Sequence, residues 1–323
     1  MTEAAAPARE SLAEVFAVEI APALPALEAA RQDRLRKAWV RAAGAAFVVV
    51  LAAIIIWLQN YRVAAVAVLV LGGLAGGWWA LGPARRHKEA VRALFIPPLL
   101  RFLGNIEHHR DPGGGFELSR VERSGITGNF NRAKLEDLFI GRHRDTDFRM
   151  VEARLRKRSG GRRKRQKTVF KGLLCEVGVP VAFEGVVLLV GDKGALGNWV
   201  VDKFRGAFDG VEAVTLDHGA FEERFQVYSD TPEEARCLLQ PGLCDTLMAL
   251  ADELGRAAVN CAFIEGRFLV ALPQRENLFE VGRLHRSLDH AEEDLRRLAG
   301  EFTIPQRLID NLHGEHKQVL PES

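Results

Sequence analysis

The densest run of chemistry-bearing side chains is RKRSGGRRKRQK at 156–167, where Arg156, Lys157, Arg158, Arg162, Arg163, Lys164, Arg165 and Lys167 place eight cations in twelve positions. Such side chains hold phosphate and carboxylate oxygens through charge-assisted hydrogen bonds, worth on the order of 1 kcal/mol per residue beside an anionic bilayer. Anionic lipid headgroups are one natural counter-charge, nucleic acid or an acidic protein another, and a merely solvated loop is the bland use. No aromatic residue interleaves the run, so base stacking has no platform and nucleic acid is the less favoured partner.

Other chemistries find thinner material. Of nine histidines only His108 and His109 are adjacent, no HExxH occurs, and His313 with His316 is a weak ligand set near the C-terminus. Cys175, Cys237, Cys244 and Cys261 are scattered without a CxxC pair, which reads as reduced thiols rather than a disulfide framework. GDKGALGNW at 191–199 lacks the glycine and lysine spacing of a phosphate loop and reads as a turn. There is no GxSxG elbow, Ser229 and Asp230 read as a helix cap, and the neighbours Glu136 and Asp137 do not share a face. No catalytic residue, metal-ligand set or cofactor site is assigned.

The elements around these residues begin with two apolar stretches, Ala42 to Leu58 and Val63 to Ala84, separated only by Gln59, Asn60, Tyr61 and Arg62. Each, as a helix, reaches most or all of the way across a hydrocarbon core, and so short a linker makes a transmembrane hairpin. Arg31, Arg34, Arg36, Lys37 and Arg41 precede it, Arg85, Arg86, Lys88 and Arg92 follow it, and the turn offers only Arg62. Basic flanks are retained on the cytoplasmic side, so both termini and the soluble domain are expected there. Trp39, Trp57, Tyr61, Trp78 and Trp79 stand near the span ends, where amphipathic rings prefer the headgroup layer. Gly72, Gly73, Gly76 and Gly77 give the second span small residues at helical spacing, for packing within the hairpin or against another chain.

The expected order is a cytosolic helical segment (1–38, with 1–10 disordered), the hairpin (39–84), a helical connector (85–112), an α+β domain (113–280), C-terminal helices (281–312) and a flexible tail (313–323). Pro97 and Pro98 should limit the connector helix, and Leu99 to His109 adds a helical turn or two. Phe116 to Val121 reads as the first strand, and Lys134 to Gly141 as a short helix or a strand entry. Thr146 to Arg156 and Val169 to Pro180 form a hairpin with the basic run at its tip, with a possible bulge in the first strand. Phe183 to Val190, Val211 to Leu216 and Glu223 to Tyr228 are strands, with a loop and helical turn over Trp199 to Phe208. Thr231-Pro232-Glu233-Glu234 opens a helix, and Pro241 opens another. Asn260 to Ile264 and Arg267 to Leu272 form a tight strand pair, followed by an amphipathic helix over Val281 to Leu298 and one more over Phe302 to Leu312. The fold class is α+β, mainly antiparallel, behind a two-helix transmembrane hairpin.

EDLFIG at 136–141, VFKGLL at 169–174 and FEERFQVYSDTPEEARCLLQP at 221–241, together with the two preceding spans, resemble the bacterial membrane-anchored domain-of-unknown-function family numbered 3137. The resemblance runs over roughly residues 40–280 and implies an inner-membrane location and this architecture, but no reaction and no ligand residues. The leading reading is a non-catalytic, membrane-anchored adaptor or assembly module with a protein partner or a second copy. The alternatives are an enzyme or ligand-binding domain acting on a membrane-proximal lipid or small molecule, and a subunit of a larger membrane complex. Phe139, Phe170, Phe225 and Tyr228 are either core residues or the lining of a partner groove.

Overall fold

The computed structural model describes residues 11–80, 82–104, 106–158, 166–191, 195–254, 259–274 and 287–314. It divides into two compact units, Met1–Gly104 with Phe279–Ala299 and Asn105–Leu278 with Gly300–Ser323. The expectations for residues 1–10 and for the Ser-Gly-Gly turn at 159–161 lie outside the described residues, as do those for 281–286 and 315–323.

The first unit opens with α1 (Leu12–Val15), capped reciprocally by Ser11 and Glu14. Pro22 and Pro25 cannot donate backbone hydrogen bonds, and the coil widens to a π turn at Phe16–Ile20 and tightens to a 3-10 turn at Ala21–Ala23. Beyond them α2 (Leu24–Leu58) runs 35 residues. Its polar first half is followed by an apolar second half long enough to enter and cross a bilayer. Asn60 turns the chain with φ 70°, a left-handed conformation that Asn tolerates better than most residues, and α3 (Arg62–Ala80) returns. Small residues let the two helices approach: a Cβ on Gly72 would sit 2.7 Å from Val49 Cγ2, and one on Gly76 2.8 Å from Ala45 Cβ. Gly73 and Gly77 have open space at the same position. The outward side chains, among them Phe47, Leu51, Ile54, Leu58, Val63, Leu71 and Leu74, are exposed and apolar.

α4 (Gly82–Leu103) does not stop at Pro97 and Pro98 but continues to Gly104, which takes φ 64°. Val91, Phe95 and Leu99, one helical repeat apart, are all buried, and that packing holds the helix through two positions lacking an N–H.

The second unit is built on a sheet which, among the described residues, has nine strands: β1 (Ile106–His109), β2 (Arg132–His143), β3 (Thr146–Arg158), β4 (Gln166–Gly178), β5 (Val187–Val190), β6 (Glu212–Val214), β7 (Gln226–Ser229), β8 (Asn260–Ile264) and β9 (Arg267–Pro273). Their order is β1-β2-β3-β4-β9-β8-β5-β7-β6, and every neighbouring pair is antiparallel. The late strand pair therefore joins the early strands to the β5-β7-β6 group, a placement set by tertiary pairing. Two-residue turns with both φ positive, Arg144-Asp145 and Glu265-Gly266, close β2–β3 and β8–β9.

Several local expectations are corrected. Leu99 to His109 ends in strand β1, not in further helical turns. Phe116 to Val121 leads into helix α5 (Leu118–Ser124), which buries Val121 and ends on Gly125 at φ 70°. Lys134 to Gly141 takes the strand alternative, within β2, while the bulge expected on β3 lies instead on its two neighbours: β2 has its extra residue at Asp137, φ 53°, and β4 between Thr168 and Phe170. Residues 195–205 form helix α6 (Ala195–Arg205), and α7 (Gly219–Arg224) occupies ground assigned in part to a strand. The two expected C-terminal helices are one, α10 (Ala291–Gly314), with Pro305 inside it.

Period-two alternation sorts the strands onto two faces. One face carries Val151, Ala153, Leu155, Phe170, Leu174, Leu269 and Ala271, packed with Val121 of α5 and with Val200 and Phe204 of α6. The other carries Phe139, whose ring meets Phe302 of α10 edge-on at 4.6 Å. α8 (Pro232–Leu238) and α9 (Pro241–Glu253) follow the sheet's β7 strand, and Thr246 of α9 accepts from Asn311 of α10 at 2.9 Å. Two leucine side chains forced into the hairpin's close contact cost about 1–3 kcal/mol. Gly72→Leu with Gly76→Leu is therefore expected to lower the thermal midpoint of the detergent-solubilised chain by several degrees, while Gly73→Leu with Gly77→Leu leaves it in place; equal effects would contradict the packing.

Candidate functional site

Three places in the molecule have the composition of a site, and each is fixed by different physics. The first is the pair of hairpin ends. The Arg41 guanidinium lies 5.0 Å from the Trp79 ring, and that of Arg62 lies 5.5 Å from Trp57, so each end carries a cation stacked on an indole. Trp39 and Trp57 are separated by about 27 Å of helix at 1.5 Å per residue, near the thickness of a hydrocarbon core. Both are more than half exposed, at 71% and 51%. Both apolar helices are long and apolar enough to cross a membrane.

The second is the basic end of the sheet. Arg156, Lys157, Arg158 and Lys167 are the last residues of β3 and the first of β4, in the pairs Arg156↔Thr168, Lys157↔Lys167 and Arg158↔Gln166. Arg162, Arg163, Lys164 and Arg165 lie outside the described residues. Asn131 fixes the strand end by accepting from the Arg158 N–H at 2.9 Å and donating to its carbonyl at 3.0 Å. Like charges opposed at Lys157 and Lys167 repel, a cost that an anionic partner would remove.

The third is a charged cluster at the other end of the same strands. Glu176 of β4 is fully buried, with Arg120 Nη1 3.4 Å and Arg267 Nε 3.7 Å from its Oε1 and no hydrogen-bond partner at Oε2 among the described residues. Burial pushes its carboxyl above the usual carboxylate range, against the pull of Arg120, Arg267 and Arg149. Glu265, in the β8–β9 turn, accepts from Arg120 Nε at 2.9 Å and Arg123 Nη1 at 2.6 Å, and these hydrogen bonds hold its carboxyl below its ordinary value. Arg267 also donates to Asp147 at 2.6 Å. The network is a structural tie between α5 and three strands.

The segment most distinctive in sequence, YSDTPEE, proves to be a clamp. The Ser229 hydroxyl donates to the Val186 carbonyl at 2.8 Å, Asp230 Oδ1 accepts the Val186 N–H at 2.8 Å, and Glu234 Oε2 accepts the Gly185 N–H at 2.8 Å. A Cβ on Gly185 would lie 2.4 Å from Thr231 Oγ1, so only glycine lets the two segments close. These polar residues hold the chain entering β5.

Phe139, Phe170 and Phe225 are buried, while Tyr228 is half-buried, its ring beneath the Arg205 guanidinium at 5.2 Å. His108 joins Asp137, 29 residues away: Nε2 is 3.0 Å from Oδ1, and the imidazole stacks on Phe139 at 4.6 Å. The β2 bulge turns Asp137 toward it, a pairing that adjacent residues at 108–109 and 136–137 gave no means to connect. Among the described residues no group of three His, Cys, Asp or Glu is arranged to hold a metal. Cys175 and Cys261 are buried on strands either side of β9, and burial pushes both thiols up, away from the reactive thiolate.

In the first unit Glu28 accepts two hydrogen bonds from Arg31, at 2.8 and 2.6 Å, which draw its carboxyl down to about 2; it also accepts the Leu288 N–H at 3.4 Å.

Residues 168–313 match the model of a family described as "Protein of unknown function (DUF3137)". That match supports assigning the chain to this family. VFKGLL and the YSDTPEE clamp fall inside the matched range, whereas EDLFIG and the membrane spans precede it. No curated protein matches the chain. Among solved structures, that of the mycobacterial trehalose monomycolate transport factor A, TtfA, aligns with 13% identity and a TM-score of 0.37, covering 73% of this chain and 97% of that one, a likeness too low to carry an argument.

Removing Arg120 strips the buried Glu176 and the Glu265 turn of a shared cation, with an expected loss of about 3 kcal/mol at neutral pH. Glu176, its folded pKa raised, is protonated first as pH falls, and Glu265, its folded pKa lowered, only below the ordinary carboxylate range. The destabilisation of Arg120→Ala relative to wild type should therefore be largest near pH 7, begin to shrink above the ordinary carboxylate value of about 4.5 as Glu176 takes up its proton, and shrink further below it as Glu265 does. A pH-independent difference in denaturant midpoints would show that these carboxylates do not carry it.

Proposed function

We propose that this chain is a multi-pass protein of the bacterial inner membrane, with both termini and the sheet domain cytoplasmic. On this reading it is a non-catalytic adaptor or assembly module, holding its sheet domain at the membrane for a partner. The observation that carries the reading is the hairpin: two helices whose outward side chains are apolar and exposed, bounded at both ends by Arg–Trp pairs, with basic residues concentrated on the terminal side. The polar clusters of the sheet domain support it in another way. YSDTPEE, Arg120 with Glu176, and Glu265 with Arg123 are each engaged in holding the fold together. A second reading, a subunit of a larger membrane complex, is favoured by Gly73 and Gly77, which leave room for another helix on the face of α3 away from Val49.

Cys237 is exposed, whereas Cys175, Cys244 and Cys261 are buried, so the wild-type chain carries its own topology probe. A membrane-impermeant maleimide applied to intact cells is expected to leave Cys237 unlabelled until the membrane is permeabilised, and to label Gln59→Cys at the hairpin turn without permeabilisation. Labelling of Cys237 in intact cells would place the domain on the opposite side.

A further inference from the structure

The strand register places more cations together than the linear run contains. On β3, Val151, Ala153 and Leu155 belong to the packed core, so Arg154, Arg156 and Arg158 occupy the opposite face. Arg156 pairs with Arg132 on β2, and Arg154 pairs with Lys134 on β2 and with Lys171 on β4. Six cations from three separate stretches of sequence thus share one face. On the part of that face that bears these cations the counter-charges, among the described residues, are Glu136, bonded to Lys134 at 2.8 Å, and Glu152, which is buried. Lys157 and Lys167, paired across the strands, alternate to the other side. Arg132, Lys134 and Arg158 are exposed, and Arg132, Arg154, Arg156 and Arg158 make no ion pair among the described residues.

The face also has room for a large partner. β1 covers β2 only from Leu138 onward, and β9 covers β4 only from Gly172 onward, so the three strands project beyond their neighbours as a ribbon. Cations on one strand face recur every two residues, about 6.6 Å apart, and adjacent strands add rows about 4.8 Å away. This is a two-dimensional lattice of positive charge, suited to a surface of many anions rather than to one ion.

Resting on the reading of the chain as membrane-anchored, we propose that this ribbon face, Arg132, Lys134, Arg154, Arg156, Arg158 and Lys171, binds the anionic phospholipid headgroups of the bilayer that holds the hairpin. Charge complementarity and the tethering of the ribbon to a bilayer by its own chain select lipid. Among the described residues the projecting ribbon carries no aromatic side chain on this face for base stacking, which disfavours a single-stranded nucleic acid.

The test uses the full chain, with Thr168→Cys in a Cys237→Ser background and the environment-sensitive nitrobenzoxadiazole dye on Thr168→Cys, an exposed position opposite Arg156. The protein is reconstituted into vesicles of phosphatidylcholine with increasing phosphatidylglycerol. Dye emission is expected to rise and shift to the blue with phosphatidylglycerol. Arg154→Glu with Arg156→Glu and Arg158→Glu should weaken that response by at least about a hundredfold, at about fivefold per cation removed. The milder Arg→Gln triple variant, which keeps side-chain bulk on the ribbon, should weaken it in the same direction, whereas Lys157→Glu with Lys167→Glu should weaken it less than the face variants. An emission unchanged by phosphatidylglycerol, equal responses from face variants and the lysine pair, or a response to an added single-stranded oligonucleotide in its place would each overturn the proposal. Failure of the chain to enter vesicles at all would instead refute the membrane-anchored reading on which it rests.

Discussion

The first unit of this molecule is conditioned by the apolar surface of one helical hairpin. A helix satisfies its own backbone hydrogen bonds, so it can leave water, and the side chains of α2 and α3 that face outward are of the kind that must. Hydrocarbon has no hydrophobic force to press the two helices together, which makes close fit at Gly72 and Gly76 the device that keeps them paired. The short turn follows from the same constraint, since Asn60 reverses the chain in a left-handed conformation within a few residues. Arg41 on Trp79 and Arg62 on Trp57 then place a cation and an indole together at each end of the hairpin.

The sheet unit answers a different problem, that of a long antiparallel sheet assembled from strands far apart in sequence. Its buried polar groups are spent on joints. YSDTPEE ties the segment before β5 to the start of α8, and Arg120 ties α5 to β4 and to the β8–β9 turn. The family-like segment is thus distinctive because its side-chain oxygens cap backbone N–H groups across nearly fifty residues, and Gly185 supplies the space. Catalytic chemistry is not needed to explain any of those residue types.

Much of this was legible in the sequence wherever the deciding physics is local. The spans followed from uninterrupted apolar length, the β3–β4 and β8–β9 pairs from turn residues between apolar runs, and α8 and α9 from Pro at the first helical turn. Nonlocal decisions were not legible. Pro97 and Pro98 should have ended a helix, yet Val91, Phe95 and Leu99 are buried along one side and the helix continues. Phe116 to Val121 read as a strand, but the packing of Val121 and the left-handed Gly125 made a short helix from Leu118. The insertion of β8–β9 between β4 and β5 has no sequence signal, because either strand pairs equally well by composition. For the same reason the linear basic run was visible, while its division between two faces, and the addition of Arg132, Lys134, Arg154 and Lys171, required the register.

The most direct test of the central claim is alkaline carbonate extraction of membranes containing the full chain, which strips proteins held by charge and leaves those held by hydrocarbon. The hairpin account predicts that the chain stays with the bilayer pellet and is released only by detergent. Its appearance in the carbonate supernatant as a folded, soluble protein would contradict that account.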